Sequence, residues 1–249
     1  MYNPYSLQNK VVLITGASSG IGRQTAIECS KLGARVIVTA RNEERLKETL
    51  GLLDGEGHEM MMADVSDYNQ IETLVNNLPP IDGFSCNAGI ADTSLVGFYK
   101  EKEIENVFKT NTFSMMMFIK FLIKKKKLNK GASVVFTSSA GNVYCAAVGN
   151  GIYGASKCAI DGFMRTAALE LAPKGIRCNS VCPSVVASEV GGFSSVLSAE
   201  QYEVEKKRYP LGRFCNQKEV ALSIAFLLSD AASFITGTAL KIDGGSTLL

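Results

Sequence analysis

The chain has 249 residues, and its 26 lysines and arginines nearly balance its 24 aspartates and glutamates. Hydrophobic residues make up 46% and charged residues 20%, which excludes a disordered or strongly acidic chain. Nucleic acid is not an expected partner, because binding phosphates requires a clustered positive surface. The sequence contains one histidine, His58. We therefore predict no metal site and no mechanism that needs several imidazoles.

The seven cysteines predict neither a disulfide framework nor a zinc site, since their number is odd and no two have the C-x-x-C spacing. Most lie in apolar runs, so we expect small core residues in a reducing cytosol. Residues 1–10 contain no apolar stretch typical of an export signal. The longest apolar stretch, 113–123, is too short to span a membrane. We expect a cytoplasmic protein without a membrane partner.

Strand-like and helix-like segments alternate along nearly the whole chain. Apolar and β-branched runs predict strands at 10–15, 35–40, 59–63, 81–86, 132–137, 175–181 and 239–242. Helical spacing predicts helices at 22–32, 43–53, 67–78, 153–171 and 217–228, and a long helix before the fifth strand that ends in Lys124–Lys127. We expect that lysine run to be a solvated cap that complements the helix dipole, although it could also bind an anion.

Parallel strands need crossover connections, so this alternation predicts helices on both faces of a parallel sheet. No linker or internal repeat divides the sequence. We predict an α/β fold, a doubly wound sheet of about seven strands, in a single domain covering residues 1–249.

A glycine-rich turn, Thr15 to Gly22, lies between the first strand and the first helix, with the spacing G-x-x-x-G-x-G. Glycines permit a tight turn and let the backbone approach a pyrophosphate, which N–H groups and the positive end of the helix dipole then hold. This placement predicts a dinucleotide site of the Rossmann type. The predicted contacts in the turn are Thr15, Gly16, Ser18, Ser19, Gly20 and Gly22.

The end of the second strand bears on the choice between NAD and NADP. An acidic residue there would bind a free ribose 2′-hydroxyl and repel a 2′-phosphate. The sequence instead has Ala40 followed by Arg41, whose guanidinium offers a planar fork of donors to a phosphate. This favours NADP(H). Glu43 or Glu44 could still reach a ribose, which would make Arg41 an ordinary exposed residue and NAD(H) the cofactor.

Tyr153 and Lys157 are four residues apart and share one face of a predicted helix. A nearby ammonium stabilises a phenolate and lowers the tyrosine pKa from its reference of ~10 toward neutral pH. Such a tyrosine can donate a proton to a carbonyl oxygen or remove one in the reverse direction. Taken alone, the pair is more typical of an exposed helix than of a catalytic site.

The motifs together resemble the short-chain dehydrogenase/reductase family over essentially the whole chain. They are the Thr15–Gly22 turn, Asp64-Val65, Asn87-Ala88-Gly89, Asn111, Ser138-Ser139, Tyr153 with Lys157, Ile176–Asn179 leading to Pro183, Pro210–Arg213 and Asp243–Gly245. The resemblance implies that Tyr153 is the acid/base and that Lys157 lowers its pKa and holds the nicotinamide ribose. Ser139, rather than its neighbour Ser138, would bind the substrate carbonyl, and Asn111 would anchor a water that links Lys157 to solvent.

The resemblance also implies further cofactor contacts. Asp64 would accept a hydrogen bond from the adenine amino group, and Val65 would border the ring. Ile21 and Ser188 would flank the pyrophosphate and nicotinamide. The other implied contacts are Asn87, Ala88, Gly89, Tyr153, Lys157, Pro183 and Val186.

Three departures from the family pattern occur. Cys86 replaces the usual asparagine before Asn87, and we expect it to alter strand support more than chemistry. Ser184 replaces the glycine expected after Pro183, which affects a loop near the nicotinamide. The separation of Ser139 and Tyr153 is one residue longer than in many relatives.

We expect the substrate to contact loops 140–152 and 184–215, beyond the carboxyl ends of the strands. Their apolar side chains suit either an acyl chain or a steroid, or the packing of a closed lid: Val143, Tyr144, Val148, Phe193, Val196 and Leu197. Residues 202–209 are expected to form a short solvated lid helix. The Pro210–Arg213 pattern before a helix at 217–221 is most similar to 3-oxoacyl-[acyl-carrier-protein] reductases and related bacterial-type carbonyl reductases. The first of these implies an acyl thioester substrate.

Family members are commonly tetramers, so the resemblance also implies a homotetramer with contacts along the helices that start near Ile104 and Tyr153. Residues 115–118 suit such a contact and core packing equally. The leading hypothesis is an NADP(H)-dependent oxidoreductase that interconverts a ketone and a secondary alcohol. The alternatives are a hydroxysteroid, sugar or polyol dehydrogenase, and a regulatory protein that binds the cofactor without catalysis.

Overall fold

The structure is a computed structural model that describes residues 2–141, 143–187 and 198–248. Seven parallel strands form one sheet in the order β3-β2-β1-β4-β5-β6-β7. The strands are β1 Val11–Thr15, β2 Arg35–Ala40, β3 Glu59–Met62, β4 Ile81–Cys86, β5 Leu128–Thr137, β6 Arg177–Pro183 and β7 Ala239–Ile242. The predicted α/β, doubly wound Rossmann sheet is confirmed.

Helices connect the strands and cover both faces of the sheet. In the described residues they are α1 Gly20–Lys31, α2 Glu43–Leu50, α3 Tyr68–Asn77, α4 Glu101–Phe108, α5 Ser114–Lys124, α6 Gly151–Leu171, α7 Ala199–Lys206 and α8 Gln217–Leu228. A π-helical turn, Lys109–Phe113, joins α4 to α5. The long helix predicted before β5 is therefore divided by this turn.

The sheet has a hydrophobic core on each face, because successive strand residues point to opposite sides. On one face Leu13 of β1 and Phe84 of β4 belong to the cluster covered by α3, α5 and α6. On the other face Val12 and Ile14 belong to the cluster covered by α1 and α8. Burial on both sides explains why the strands are continuous apolar runs rather than alternating ones.

The strand order reverses between β1 and β4, the neighbours from which the chain winds outward in both directions. Ligands of open α/β sheets bind beyond the carboxyl ends of the strands at such a switch point. The glycine-rich turn follows β1 here, and Asn87-Ala88-Gly89 follows β4. The fold thus brings the two predicted cofactor-binding segments to one edge of the sheet.

Several element boundaries differ from prediction. β6 begins at Arg177 rather than residue 175, because Gly175 has a φ of +70° and closes the turn that follows α6. The helix predicted at 202–209 is α7, which begins and ends three residues earlier than predicted. α2 ends at Leu50, three residues before its predicted end.

The lysine run at the end of α5 is not a purely solvated cap of its own helix. Lys127 donates from Nζ to the main-chain oxygens of Asn76, at 3.2 Å, and of Leu78, and so caps the end of α3. Lys125 forms an ion pair with Glu72 of α3 at 3.2 Å. Two of the four lysines therefore connect α5 to the neighbouring helix.

The cysteines divide by burial. Cys29, Cys86, Cys178 and Cys182 are buried, as expected of small core residues. Cys145 and Cys158 are exposed and Cys215 is half-buried, so the core prediction is wrong for these three. Among the described residues, no helix is long and apolar enough to cross a bilayer, and no His, Cys, Asp and Glu group there is arranged to hold a metal ion.

Candidate active site

The turn after β1 depends on glycine at specific positions. Gly16 has a φ of +65°, and a Cβ on it would lie 2.9 Å from the main-chain nitrogen of Ala88. A Cβ on Gly22 would clash with the main-chain carbonyl of Gly16 and lie 3.0 Å from that of Thr15. Glycine at both positions therefore lets β1, α1 and the loop after β4 approach one another.

The amino terminus of α1 has the features of an anion site. The side chain of Ser19, the N-cap residue, does not cap the helix, so it leaves the first-turn N–H groups open to a ligand. Gly20 has a φ of +58°, and the space where its Cβ would lie is open. Arg23 donates to the main-chain oxygen of Ser18 at 2.7 Å and so fixes the turn. The residues present fit the pyrophosphate of a dinucleotide.

Side-chain hydrogen bonds join the ends of β1, β4 and β5. The Thr15 hydroxyl oxygen accepts hydrogen bonds from the main-chain nitrogens of Asn87, at 3.0 Å, and Ala88, at 3.2 Å. Asn87 in turn accepts a hydrogen bond from the Thr137 hydroxyl at 2.8 Å. Thr15 and Asn87, both predicted cofactor contacts, thus hold this edge of the sheet together.

Arg41 and Asp64 face each other at the ends of β2 and β3. The distance between Arg41 Nη1 and Asp64 Oδ2 is 3.9 Å, and the Arg41 side chain is 69% exposed. The other oxygen of Asp64 accepts hydrogen bonds from the main-chain nitrogen and the hydroxyl of Ser66. Val65 beside it is buried. A long ion pair at this exposure constrains Arg41 weakly, which leaves the guanidinium free to turn toward a ligand.

The catalytic residues predicted from the sequence converge beyond the end of β5. Ser139, two residues past the strand, forms a side-chain hydrogen bond with Tyr153 of α6. Lys157 lies one helical turn further, with Nζ 5.6 Å from the centre of the Tyr153 ring. The Lys157 ammonium is buried and donates to the main-chain oxygen of Thr137 at 2.8 Å.

Asn111 lies in the π-helical turn and is fully buried. Its amide accepts a hydrogen bond from the Ile90 main-chain nitrogen at 2.8 Å and donates to the Ile90 oxygen at 2.9 Å. It also donates to the hydroxyl of Ser156 at 3.1 Å. A Cβ on Gly89 would lie 3.2 Å from Asn111 Oδ1 and 3.4 Å from Lys157 Nζ, so glycine there keeps the gap between the two groups open.

Burial sets the protonation of the central pair. It raises the pKa of Tyr153 above its usual value, and the hydrogen bond with Ser139 offsets part of that effect. It lowers the pKa of Lys157 to about 8. The expected lowering of the tyrosine pKa is thus not met in the protein alone, because desolvation of the phenolate outweighs the other effects. Tyr153 is a phenol at neutral pH.

Ser138 and Ser139 have different surroundings. The buried hydroxyl of Ser138 contacts Asp161 Oδ2 at 3.0 Å and the main-chain oxygen of Lys157 at 3.3 Å. Ser139 is the serine that shares a hydrogen bond with Tyr153. This difference in contacts agrees with the resemblance, which implies that Ser139 rather than Ser138 binds the substrate carbonyl.

The loop after β6 continues the same edge of the sheet. Pro183 ends β6, and the Ser184 main-chain nitrogen donates to the oxygen of Ile242 in β7 at 3.1 Å. Val186 is half-buried and forms an isolated bridge with Cys215. Ser188 lies outside the described residues, so its predicted contact is not placed.

The predicted substrate loops are described in part. Val148 is 90% exposed and Tyr144 is 43% exposed, beside the Ser139–Tyr153 pair in sequence. Val143 is half-buried. Phe193, Val196 and Leu197 fall in the 188–197 segment, outside the described residues.

Two residues that sequence reasoning missed contact the site. Thr137 holds Lys157 through its main-chain oxygen, which no residue-type pattern reveals. Asp161 is buried and lies one turn beyond Lys157 on the same face of α6. Its i,i+4 spacing from Lys157 was the signal that could have found it.

Comparison with known proteins places these motifs in a family. A family model described as Enoyl-(Acyl carrier protein) reductase matches residues 16–247. The 3-oxoacyl-[acyl-carrier-protein] reductase FabG of Rickettsia felis is 31% identical over 243 residues, which cover 98% of this chain and 99% of that protein. The protein of the same name from Haemophilus influenzae is 34% identical over 251 residues, with coverage of 96% and 98%.

A solved structure gives the same result at the level of the fold. The crystal structure described as a short-chain alcohol dehydrogenase from Sinorhizobium meliloti matches with a TM-score of 0.90 at 27% identity, and the match covers 99% of each chain. The family resemblance stated from the motifs is confirmed. The chain belongs to the short-chain dehydrogenase/reductase family and is an NAD(P)-dependent oxidoreductase.

Proposed function

We propose that this chain, acting as a single domain, is an NADP(H)-dependent reductase of ketones in which Tyr153 is the general acid. The observation that carries the proposal is the convergence of Ser139, Tyr153 and Lys157 beyond the end of β5, next to the open turn at the start of α1. A nicotinamide bound here would supply a hydride to the substrate carbonyl carbon. The protein must then hold the carbonyl oxygen and protonate it.

The three side chains divide this work by their chemistry. Ser139 donates a hydrogen bond to the carbonyl oxygen and fixes it beside Tyr153. Tyr153, a phenol at neutral pH because burial raises its pKa, gives its proton to that oxygen as negative charge develops. Lys157, held by the Thr137 oxygen at 2.8 Å, keeps its positive charge near the phenolate that forms and binds the nicotinamide ribose.

Asn111 completes the site as the anchor of a water that returns a proton to Lys157. The support for this role is that Asn111 Oδ1 and Lys157 Nζ both lie beside Gly89. The remaining predicted cofactor contacts, from the α1 turn to Pro183, lie along the same edge of the sheet.

Arg41 is proposed to select NADP(H) over NAD(H). It follows β2, and in this class of fold residues at the end of that strand contact the 2′ position of the adenosine ribose. Its guanidinium is exposed and only weakly paired with Asp64. A 2′-phosphate would gain charge-assisted hydrogen bonds from it that a free hydroxyl would not.

An acyl thioester of a 3-oxo acid is the proposed substrate class, and the cytosol the proposed location. Both relatives named above are 3-oxoacyl-[acyl-carrier-protein] reductases, and each match covers nearly the full length of both chains. The exposed apolar side chains of Tyr144 and Val148, in the loop that follows Ser139 in the sequence, suit the acyl chain.

We also propose that the chain forms a homotetramer through contacts along α4, α5 and α6. Phe113, in the turn between α4 and α5, and Leu169 of α6 are exposed apolar residues on these helices. Of the 115–118 run, Met115 and Phe118 are buried in the core.

A substrate panel tests this proposal. NADPH oxidation is followed with acetoacetyl-CoA, a 3-ketosteroid, a ketose and a simple cyclic ketone, each at matched concentration. We expect the highest kcat/KM with acetoacetyl-CoA. A higher value with the steroid or ketose would contradict the thioester assignment, and no turnover of any ketone alongside tight NADPH binding would indicate a binding protein without catalysis.

A further inference from the structure

A buried carboxylate lies behind the catalytic pair. Asp161 is 2% exposed and occupies the third position of a series, Tyr153, Lys157 and Asp161, spaced by four residues along α6. Four-residue spacing places the three side chains on one helix face. Burying a charge is costly unless neighbouring groups compensate it, so a carboxylate at Asp161 requires hydrogen-bond donors or positive charges around it.

Donors from two strands hold this carboxylate. Ser138, just past β5, donates to Oδ2 at 3.0 Å, and Ser180 of β6 donates to Oδ1 at 2.6 Å. The thiol of Cys182 lies 3.8 Å from Oδ2. Hydrogen bonds to both oxygens fix the carboxyl group against the ends of the two strands that border the site.

The ionisable groups around Lys157 come from three elements. Asp161 on α6, Cys182 on β6 and Cys86 on β4 all favour its ammonium form, against the burial that disfavours it. Burial raises the pKa of Cys182 to about 12 and that of Cys86 well above its ordinary value, so both thiols are neutral at physiological pH. Of these three groups, the carboxyl of Asp161 is therefore the one left to offset the cost of the buried ammonium.

The other ionisable groups near Asp161 do not replace it in this role. Burial and then Asp161 raise the pKa of Cys158, on the same helix. Burial, Cys182 and Asp161 raise the pKa of Tyr144, from the loop after β5, while Arg165 of α6 opposes that effect. Cys158 and Tyr144 are thus uncharged at neutral pH.

We propose that Asp161 is a positioning residue for the reaction, a buried counter-charge that keeps Lys157 an ammonium and so keeps its charge beside Tyr153. The proposal rests on the proposed function, because it assigns to Asp161 an effect exerted through the Tyr153–Lys157 pair. A purely structural role, as a clamp between α6 and the strands through Ser138 and Ser180, predicts an effect on stability alone. The two roles differ in the pH dependence of the reaction.

The test is the pH profile of kcat/KM for acetoacetyl-CoA reduction by NADPH in full-length Asp161→Asn. Asparagine keeps the size and an acceptor oxygen but removes the charge. We expect the basic limb, where activity is lost as Lys157 deprotonates, to move to lower pH by on the order of one unit. Ser180→Ala is the matched control: it removes one hydrogen bond from the clamp and leaves the charge, and its limb should stay at the wild-type pH.

An unshifted limb in folded, active Asp161→Asn would overturn the proposal, as would an equal shift in Ser180→Ala. Should Asp161→Asn not fold, a carbon-13 NMR titration of the wild-type protein reads the Asp161 carboxyl directly. An ionised carboxyl throughout the active pH range supports the proposal, and a protonated one contradicts it. Failure of the proposed function looks different, since Tyr153→Phe would then keep its activity whatever Asp161→Asn does.

Discussion

Lys157 Nζ donates to the main-chain oxygen of Thr137 at 2.8 Å, so the end of β5 holds the ammonium through the backbone. The same strand leads directly into Ser139, which is hydrogen-bonded to Tyr153. One strand end therefore positions both the cation and the serine around the tyrosine.

The rate of reduction should fall as the pH rises through about 8. Burial lowers the pKa of Lys157 to about 8, so the ammonium is present below that pH and lost above it. Burial raises the pKa of Tyr153, so the phenol needed for proton donation persists across the same range. The measurement is kcat/KM for acetoacetyl-CoA between pH 6 and 10. A reductive rate that climbed steadily from pH 7 to 9 would refute this assignment of the limb.

Arg41→Ala should weaken NADPH binding by about tenfold or more and leave NADH binding nearly unchanged. The reason is the loss of charge-assisted hydrogen bonds to the 2′-phosphate, each worth roughly 1.5–3 kcal/mol. Fluorescence titration of both cofactors measures the two dissociation constants. Arg45→Ala, an exposed arginine on the adjacent helix α2, is the matched control. If the wild-type protein preferred NADH, or if Arg41→Ala kept the NADPH preference, the role of Arg41 would be refuted.

Gly22→Ala should abolish cofactor binding and lower the melting temperature. Its Cβ would collide with the main-chain carbonyl of Gly16, and backbone atoms cannot move aside as a flexible side chain can. Gly162→Ala in α6 is the control, because its Cβ would meet open space. That substitution should stabilise the helix by roughly 0.5–1 kcal/mol. Equal behaviour of the two variants in thermal unfolding and NADPH titration would contradict the close-approach argument.

Ser139→Ala should lower kcat by roughly 100-fold, since a donor to a developing oxyanion contributes on the order of 10²–10³ in kcat. Cofactor affinity should be retained, because Ser139 is assigned to the substrate. Ser133→Ala in β5 is the matched control: its buried hydroxyl donates to the Leu227 oxygen at 2.8 Å, away from the site. We expect that control to lose some stability and keep its kcat. A similar loss of kcat in both variants would mean that Ser139 acts through folding.

The strands and the glycine turn could be predicted because local sequence determines them. The apolar runs of β1 and β2 are typical of strands in a sheet that is buried on both faces. Glycine is required at positions 16 and 22 because a Cβ there would collide with backbone atoms. The Tyr153–Lys157 spacing gave the shared helix face directly. These features depend on neighbours in the sequence or on residue type alone.

Other features depend on contacts between distant segments. The π-helical turn that holds Asn111 covers only Lys109–Phe113 inside an otherwise α-helical stretch, and the helical spacing predicted one continuous helix there. Lys127 caps α3, about 50 residues away, which no local pattern indicates. The raised pKa of Tyr153 follows from burial by the folded chain, whereas its neighbour Lys157 alone suggested the opposite direction.

His58 is another residue whose role depends on contacts between distant segments. The sequence suggested no role for it, yet its Nδ1 accepts a hydrogen bond from the Val36 main-chain nitrogen at 3.0 Å. Its Nε2 is 2.9 Å from the oxygen of Asp54. His58 therefore ties the segment before β3 to β2, a structural role far from the active site.

The central claim is that Tyr153 is the proton donor, and Tyr153→Phe tests it most directly. The substitution removes one oxygen and keeps the ring that lies beside Lys157. We predict that kcat for acetoacetyl-CoA reduction falls by about 10²–10⁴-fold, the range of general acid catalysis, while NADPH affinity and melting temperature stay close to wild type. Tyr68→Phe in α3, outside the site, should keep full activity. A Tyr153→Phe protein that reduced acetoacetyl-CoA within a few-fold of the wild-type rate would contradict the account.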